Sequence, residues 1–295
     1  MLTEQVKKLS AMELLAYFVK ERETIRLKRM RNEPYPWTDD EILQKYRFCN
    51  IRRLDDKVSV WLMDHWYRPN YGHPNILLAA TLARQFNVPD TLEAMGFPRQ
   101  WDPKKCEQIC NGRVLMGLKN FGAAYMVTGT LGGTKIQQVL YKVANPIYVK
   151  QRLLMKDLKS MESIAAMLKG CAGFSDFMAG QVVADLRWAI GSVALGDWAD
   201  RNTWAPIGPG SARGMARLFH GNETYRDHTP LLRKNKALFI SNLEKVRKEL
   251  QDRIGPKYTS ALELHDYQNI LCEADKYLRT LWDGRRPKQL YRKPE

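Results

Sequence analysis

The stretch MESIAAMLKGCAGFSDFMAGQVVADLRW, residues 161–188, decides the fold class. Met161, Ile164, Ala165 and Leu168 fall at spacings of three and four, the period of one helix face, and the stripe stops at Gly170. A second stripe, Met178, Val182 and Leu186, resumes within a few residues. Apolar stripes this short, parted by so brief a turn, predict two helices folded back on each other as an αα-hairpin.

Helical signals extend outward in both directions. Residues 2–30 carry apolar positions at helical spacing and end in a basic run, Arg22, Arg26, Lys28, Arg29 and Arg31. Thr38 followed by Glu41 reads as a capping box, with Trp37 placed to staple the helix it opens. Further helices are expected from Pro74 to Gln85, after Pro89, after Thr134, through Phe239, Leu243, Val246 and Leu250, and from about Thr259 to Trp282. Arg113–Thr128 is the best candidate for extended structure, and residues 188–225, rich in Gly, Asp and Trp, read as loops with short helices. The expected fold is all-α with room for a small β element. Its organisation is one helical domain over residues 1–295, with the option of two lobes around a cleft.

The 295 residues are 44% hydrophobic, enough apolar surface for a full core, and no apolar run approaches bilayer length. Charges interrupt every apolar stretch of the N-terminal segment, so a soluble, cytoplasmic protein without a membrane partner is expected. Lys and Arg number 47 against 32 Asp and Glu, a net charge of +15 that favours a polyanionic partner. Five cysteines without close pairing argue against a disulfide framework. Cys106 and Cys110 lie one helical turn apart but lack further ligands, and the four-cysteine array of an iron–sulfur cluster is missing. Gly129 to Lys135 fails the spacing of a phosphate-binding P-loop, which counts against a self-contained ATP-dependent kinase.

Four segments concentrate chemistry. The turn Gly173-Phe174-Ser175-Asp176 resembles that of a helix-hairpin-helix motif, where backbone N–H groups meet a DNA phosphate, with Ser175 in place of the second glycine. In GPGSARGM, residues 208–215, dense glycines allow a close approach to a ligand, and Ser211 is placed to cap a following helix with Arg213 in its first turn. The string YRFCNIRRLDDKVSVW, residues 46–61, interleaves arginines, carboxylates and aromatics, as phosphate binding and base stacking require. On a helix through ELHDYQNILCEADKYLR, residues 263–279, the side chains of His265, Gln268, Asn269, Cys272, Glu273 and Lys276 share one broad face. That face reads either as a site lining or as a buried polar network.

Those strings and the hairpin string 171–188 resemble the α-glutamyl/putrescinyl thymine pyrophosphorylases, a helical family of phage amino acid:DNA transferases. That family is related to the helical domain of 5-hydroxymethyluracil DNA kinases and similar to helix-hairpin-helix DNA glycosylases. The resemblance runs from about Glu21 to Tyr291 and departs from the pattern at Ser175 and in lacking a fused P-loop domain. It implies thymine hypermodification: a kinase acting upstream places a diphosphate on 5-hydroxymethyluracil in DNA, and an amino acid or polyamine amine then displaces it. A base so modified would be flipped out of the stack to be reached.

Such chemistry assigns roles to the quoted segments. Arg22, Arg26, Arg52, Arg53, Arg213 and Lys276 are candidates to hold the diphosphate. His265 is the first candidate for general base, ahead of Asp266, Asp55 and Asp56. Asn50, Gln268 and Asn269 are candidates to read the uracil edge, and Gly173, Ser175, Gly208, Gly210 and Ser211 to contact the DNA backbone. Cys49 or Cys272 could add covalently to the base. No cofactor is firmly expected, although Asp55 and Asp56 suit a Mg²⁺ ion bridging the diphosphate. Two competing expectations remain: an N-glycosylase using Asp197 or Asp200, and a non-catalytic DNA-binding subunit of a 5-hydroxymethyluracil DNA kinase.

Overall fold

A computed structural model describes residues 2–122, 131–154, 160–189 and 198–291. The chain divides into two compact units, one made of residues 1–56 and 207–295, the other of 57–206. The fold is all-α, with no strand among the described residues. The small β element reduces to one antiparallel bridge between Tyr46 and Leu290.

The first unit opens with α1 (Leu2–Lys7) and α2 (Ala11–Met30). The sequence predicted one continuous helix here, but Ser10 interrupts it and caps α2 through a capping box with Glu13. Helix α2 buries Leu14, Leu15, Phe18 and Val19. Next comes α3 (Glu41–Lys45), whose cap is Asp40 and not the expected Thr38. Asp40 Oδ1 accepts the Ile42 and Leu43 N–H groups at 2.8 and 3.0 Å, while Thr38 turns its hydroxyl to Glu21. A carboxylate is the stronger acceptor at a helix N-terminus, and Oδ2 of the same group also accepts the Tyr17 and Tyr277 hydroxyls.

The second unit holds α4 (Lys57–Trp61), α5 (Ile76–Phe86), α6 (Pro89–Met95), α7 (Pro103–Leu115), α8 (Lys135–Gln137), α9 (Asn145–Leu154), α10 (Met161–Lys169) and α11 (Asp176–Ala189). Its core gathers Leu77, Leu82, Phe86, Leu140, Ile164 and Val182. The α10–α11 hairpin stands as the two stripes predict, and α11 packs on α5. Arg113 to Leu115, expected to be extended, complete α7; residues 116–122 form a turn and a short irregular segment, and residues 123–130 lie outside the described residues.

The first unit then resumes with α12 (Pro209–Lys234), α13 (Lys236–Ile254), α14 (Pro256–Thr259) and α15 (Leu264–Asp283). Residues 188–225 are expected to be loops with short helices, one of them capped by Ser211; the structure instead has one long helix here that starts at Pro209, with Gly208 as its N-cap. Gly210 and Gly214 lie four residues apart on one face of α12, where a Cβ at the first would strike Cys272 Sγ and one at the second the Leu271 carbonyl. Their lack of side chain lets α12 close onto α15 along its length. The helix kinks at Gly221, whose φ is +74°.

Candidate functional site

The segments 46–56 and 263–276, distant in sequence, meet in the first unit around the second half of α2. Glu273 on α15 accepts the Cys49 N–H at 2.8 Å, and Asp266 accepts the Arg53 N–H at 2.9 Å. Asn269 Nδ2 donates to the Asn50 carbonyl at 3.3 Å. From α2, Arg22 donates to the carbonyls of Phe48 and Cys49 at 3.1 and 3.3 Å. An irregular segment is thus held open on two helices by groups that satisfy its backbone.

Each expected catalytic group has a defined place. His265 is 3% exposed, and its two ring nitrogens lie 3.7 Å from Glu263 and Asp266 oxygens, outside hydrogen-bonding range. The residue expected as general base is thus a buried imidazole with neither ring nitrogen hydrogen-bonded. Asp266 is also buried; beyond Arg53 it accepts the Glu263 N–H at 3.0 Å, closing a capping box at the start of α15. Its carboxylate is committed to the backbone. Asp56 accepts the Asn50 N–H at 3.1 Å.

Asp55 differs from these. Its side chain keeps 22% exposure and lies 3.4 Å from Arg26 Nε, with Arg52 close by. Partial burial outweighs those cations and holds its carboxyl above the ordinary aspartate value. Of the four proton acceptors expected from sequence, it combines access with a raised proton affinity.

The cations divide in the same way. Arg22 is buried, and desolvation lowers its pKa from the usual guanidinium value; it is a fastener for residues 48–50. Arg53 is also buried. Arg26 pairs with Glu23, and its side chain keeps 21% exposure. Lys276 pairs with Glu273 at 2.6 Å and lies over the Phe48 ring at 4.7 Å. Arg213 pairs with Asp275 at 3.0 Å, with its side chain 38% exposed. Buried Arg217, which the sequence reading passed over, holds the other oxygen of Asp275 and reaches Asp283.

Of the groups expected to read a base, Gln268 is buried, while Asn50 and Asn269 are partly exposed. Asn50 spends its amide on the Asp55 carbonyl at 2.7 Å and on Arg22. Both thiols are raised: Cys272 is pushed up to about 12 by burial and by Glu273 and Asp275. Cys49 keeps exposed surface as a residue, yet desolvation of its sulfur, reinforced by Glu273 and Asp56, lifts it well above the usual thiol range. Neither is set up as a thiolate nucleophile. Burial likewise raises Cys106 to about 11 and Cys110 to about 12, and no group of three or more metal-ligating side chains occurs among the described residues.

Gly208 caps α12, and Ser211 is buried with its hydroxyl bonded to the Gly208 carbonyl at 3.0 Å. With Gly210 packed on Cys272, this glycine-rich stretch builds a helix contact and not an exposed anion cradle. In the second unit, the hairpin turn is surface, Gly173 takes φ +83°, and Ser175 Oγ accepts the Met178 N–H at 3.2 Å. Asp200, an alternative catalytic carboxylate, accepts the Met161 and Glu162 N–H groups, both at 2.9 Å, and so caps α10; Asp197 lies outside the described residues.

The sequence profile of the family described as 5-hmdU DNA kinase, helical domain, matches residues 9–285. The chain is 25% identical over 307 aligned positions to the 5-hmdU DNA kinase of Bacillus phage SP10, an alignment covering 92% of this chain and 47% of that protein. The chain therefore spans about half the length of this curated relative. No solved structure matches it. Among the described residues, no helix is long and apolar enough to cross a membrane.

Proposed function

This chain belongs to the family of 5-hmdU DNA kinase helical domains, and on that premise we propose that it acts in thymine hypermodification as a transferase on DNA. Its substrate would be 5-diphosphorylmethyl-uracil made by a kinase acting upstream, and its second substrate an amino acid or polyamine. The amine nitrogen attacks the methylene carbon as the carbon–oxygen bond to the diphosphate breaks. Before that attack the donor's ammonium gives one proton to a carboxylate, which frees the nitrogen lone pair, and pyrophosphate leaves with the electron pair of the broken bond.

The observation that carries this reading is Asp55: a partly exposed carboxyl with raised proton affinity, beside Arg26 and Arg52. A base titrating above ordinary aspartate is better matched to an ammonium proton, and the flanking cations suit a polyanionic leaving group. Any Mg²⁺ would arrive with the diphosphate and find Asp55 and Asp56 adjacent. Asp55→Asn is expected to bind DNA as wild type does while losing transfer by a factor of about 10² or more. Undiminished transfer by this variant would remove Asp55 from the mechanism.

A second reading has its own support. His265, Asp266 and Arg22 are all spent inside the fold, and the chain matches about half of a longer kinase. The commitment of those side chains to the fold suits a non-catalytic DNA-binding role beside a 5-hydroxymethyluracil DNA kinase. DNA binding without turnover of any diphosphorylated substrate is the result that favours it.

A further inference from the structure

The second unit carries an apolar projection that its own core does not use. Leu115, at the C-terminus of α7, is 90% exposed, more than any other large hydrophobic side chain among the described residues. Val114, Met116 and Leu118 beside it are also exposed. The projection is well formed: Gly117 turns the chain at φ +72°, with the Gly117 N–H on the Val114 carbonyl at 2.9 Å and the Leu118 N–H on the Arg113 carbonyl at 2.8 Å. Arg113 Nε donates to Asn120 Oδ1 at 3.2 Å, and Asn120 donates to the Cys110 carbonyl at 2.8 Å, tying the tip back to α7.

Arg113 and Lys119 are the charges nearest the tip in sequence, Lys135 lines a groove with Lys119, and the Glu107 carboxylate is bonded by Gln137 and Tyr141. No carboxylate occurs from Gln108 to Gly122, and none occurs in residues 131–137. Behind the tip runs a groove of about 350 Å³, floored by Val114, Leu118, Phe121 and Ile136 and rimmed by exposed Lys119 and Lys135. The Lys135 ammonium lies 4.2 Å from the Phe121 ring centre.

We propose that this tip is a DNA wedge: Leu115 and Met116 enter the base stack while Lys119 and Lys135 hold the flanking phosphates. Apolar side chains on short, rigid projections unstack base steps in this way, and the cations on either side supply the charge complementarity. Four side chains are few against the about 20–30 residues a side of a stable protein interface, so a protruding tip of this size fits a base step better than a protein surface. The proposal rests on the DNA-directed reading above, but on no residue of its site.

The test is duplex DNA carrying 2-aminopurine at successive positions, whose fluorescence rises on unstacking. Wild type is expected to raise it on binding. The double variant Leu115→Ala/Met116→Ala is expected to abolish the rise and weaken binding about tenfold or more. Val149→Ala, at another exposed apolar position, should leave both unchanged. Equal fluorescence and affinity in the double variant overturns the wedge and leaves the DNA reading standing. Failure of wild type to bind DNA overturns both. Unchanged DNA behaviour with a loss of self-association in the double variant overturns the wedge in favour of a contact between copies.

Discussion

Glu273 accepts the backbone N–H of Cys49 at 2.8 Å across 224 positions of sequence, and the same oxygen holds the Lys276 ammonium at 2.6 Å. This carboxylate thus joins Asp266 and Asn269 in fastening residues 49–53 to α15 and adds negative charge beside the Cys49 thiol. Its negative field adds to the desolvation that raises that thiol. Glu273→Gln keeps an acceptor and removes the charge, so the thiol should titrate at lower pH and alkylate faster at mildly alkaline pH. Iodoacetamide kinetics against pH check this, and superimposable profiles would contradict it.

Asp55 links function to stability with a definite sign. A carboxyl raised in the fold favours its protonated form, so its contribution to stability is present below the unfolded value, near 3.8, and is lost as pH rises through the folded value. Asp55→Asn removes the cost of keeping the charge. Its unfolding free energy in urea should equal or exceed wild type at pH 7, with the advantage shrinking toward acid pH. Transfer by wild type should show an acid limb above pH 3.8 that the variant lacks.

Arg22 fastens the loop by donating to the carbonyls of Phe48 and Cys49. Arg22→Met keeps the apolar stem and strands the carbonyls of Phe48 and Cys49, which should cost about 2–4 kcal/mol in urea unfolding. The slope of DNA affinity against salt should not change. A slope reduced by about one would instead make Arg22 a phosphate ligand.

The two glycines of α12 separate by their obstacles. Gly210→Ala and Gly214→Ala should each destabilise by about 1–3 kcal/mol through overpacking. Cys272→Ala removes the sulfur facing Gly210 and should rescue only the first, because Gly214 meets the Leu271 backbone. Thermal melts of the five variants check this, and equal rescue of both would contradict the packing described.

Much of the fold is legible from local pattern. The stripes at 161–168 and 178–186 place α10 and α11, because an apolar face at helical period has few other uses. A helix after Ser211 is readable, but its start at Pro209 and its length are not, because the glycines there serve contact with α15, a partner that sequence does not display. For the same reason Asp40 and not Thr38 is the cap of α3: the choice depends on Tyr17 and Tyr277, the latter 237 residues away. The segments 46–56 and 263–276 could be marked from their composition, and the structure brings them together. Which members face solvent was not readable: His265 and Asp55 are both titratable groups in polar strings, and only packing buries the first and leaves the second open.

Transfer itself is read out by incubating the protein with DNA containing 5-diphosphorylmethyl-uracil and a pool of amino acids and polyamines. The DNA is then digested and its nucleosides are weighed by mass spectrometry. A transferase yields a new nucleoside carrying one added amine, with one pyrophosphate released for each. An unchanged nucleoside profile from DNA that the protein demonstrably binds would contradict it.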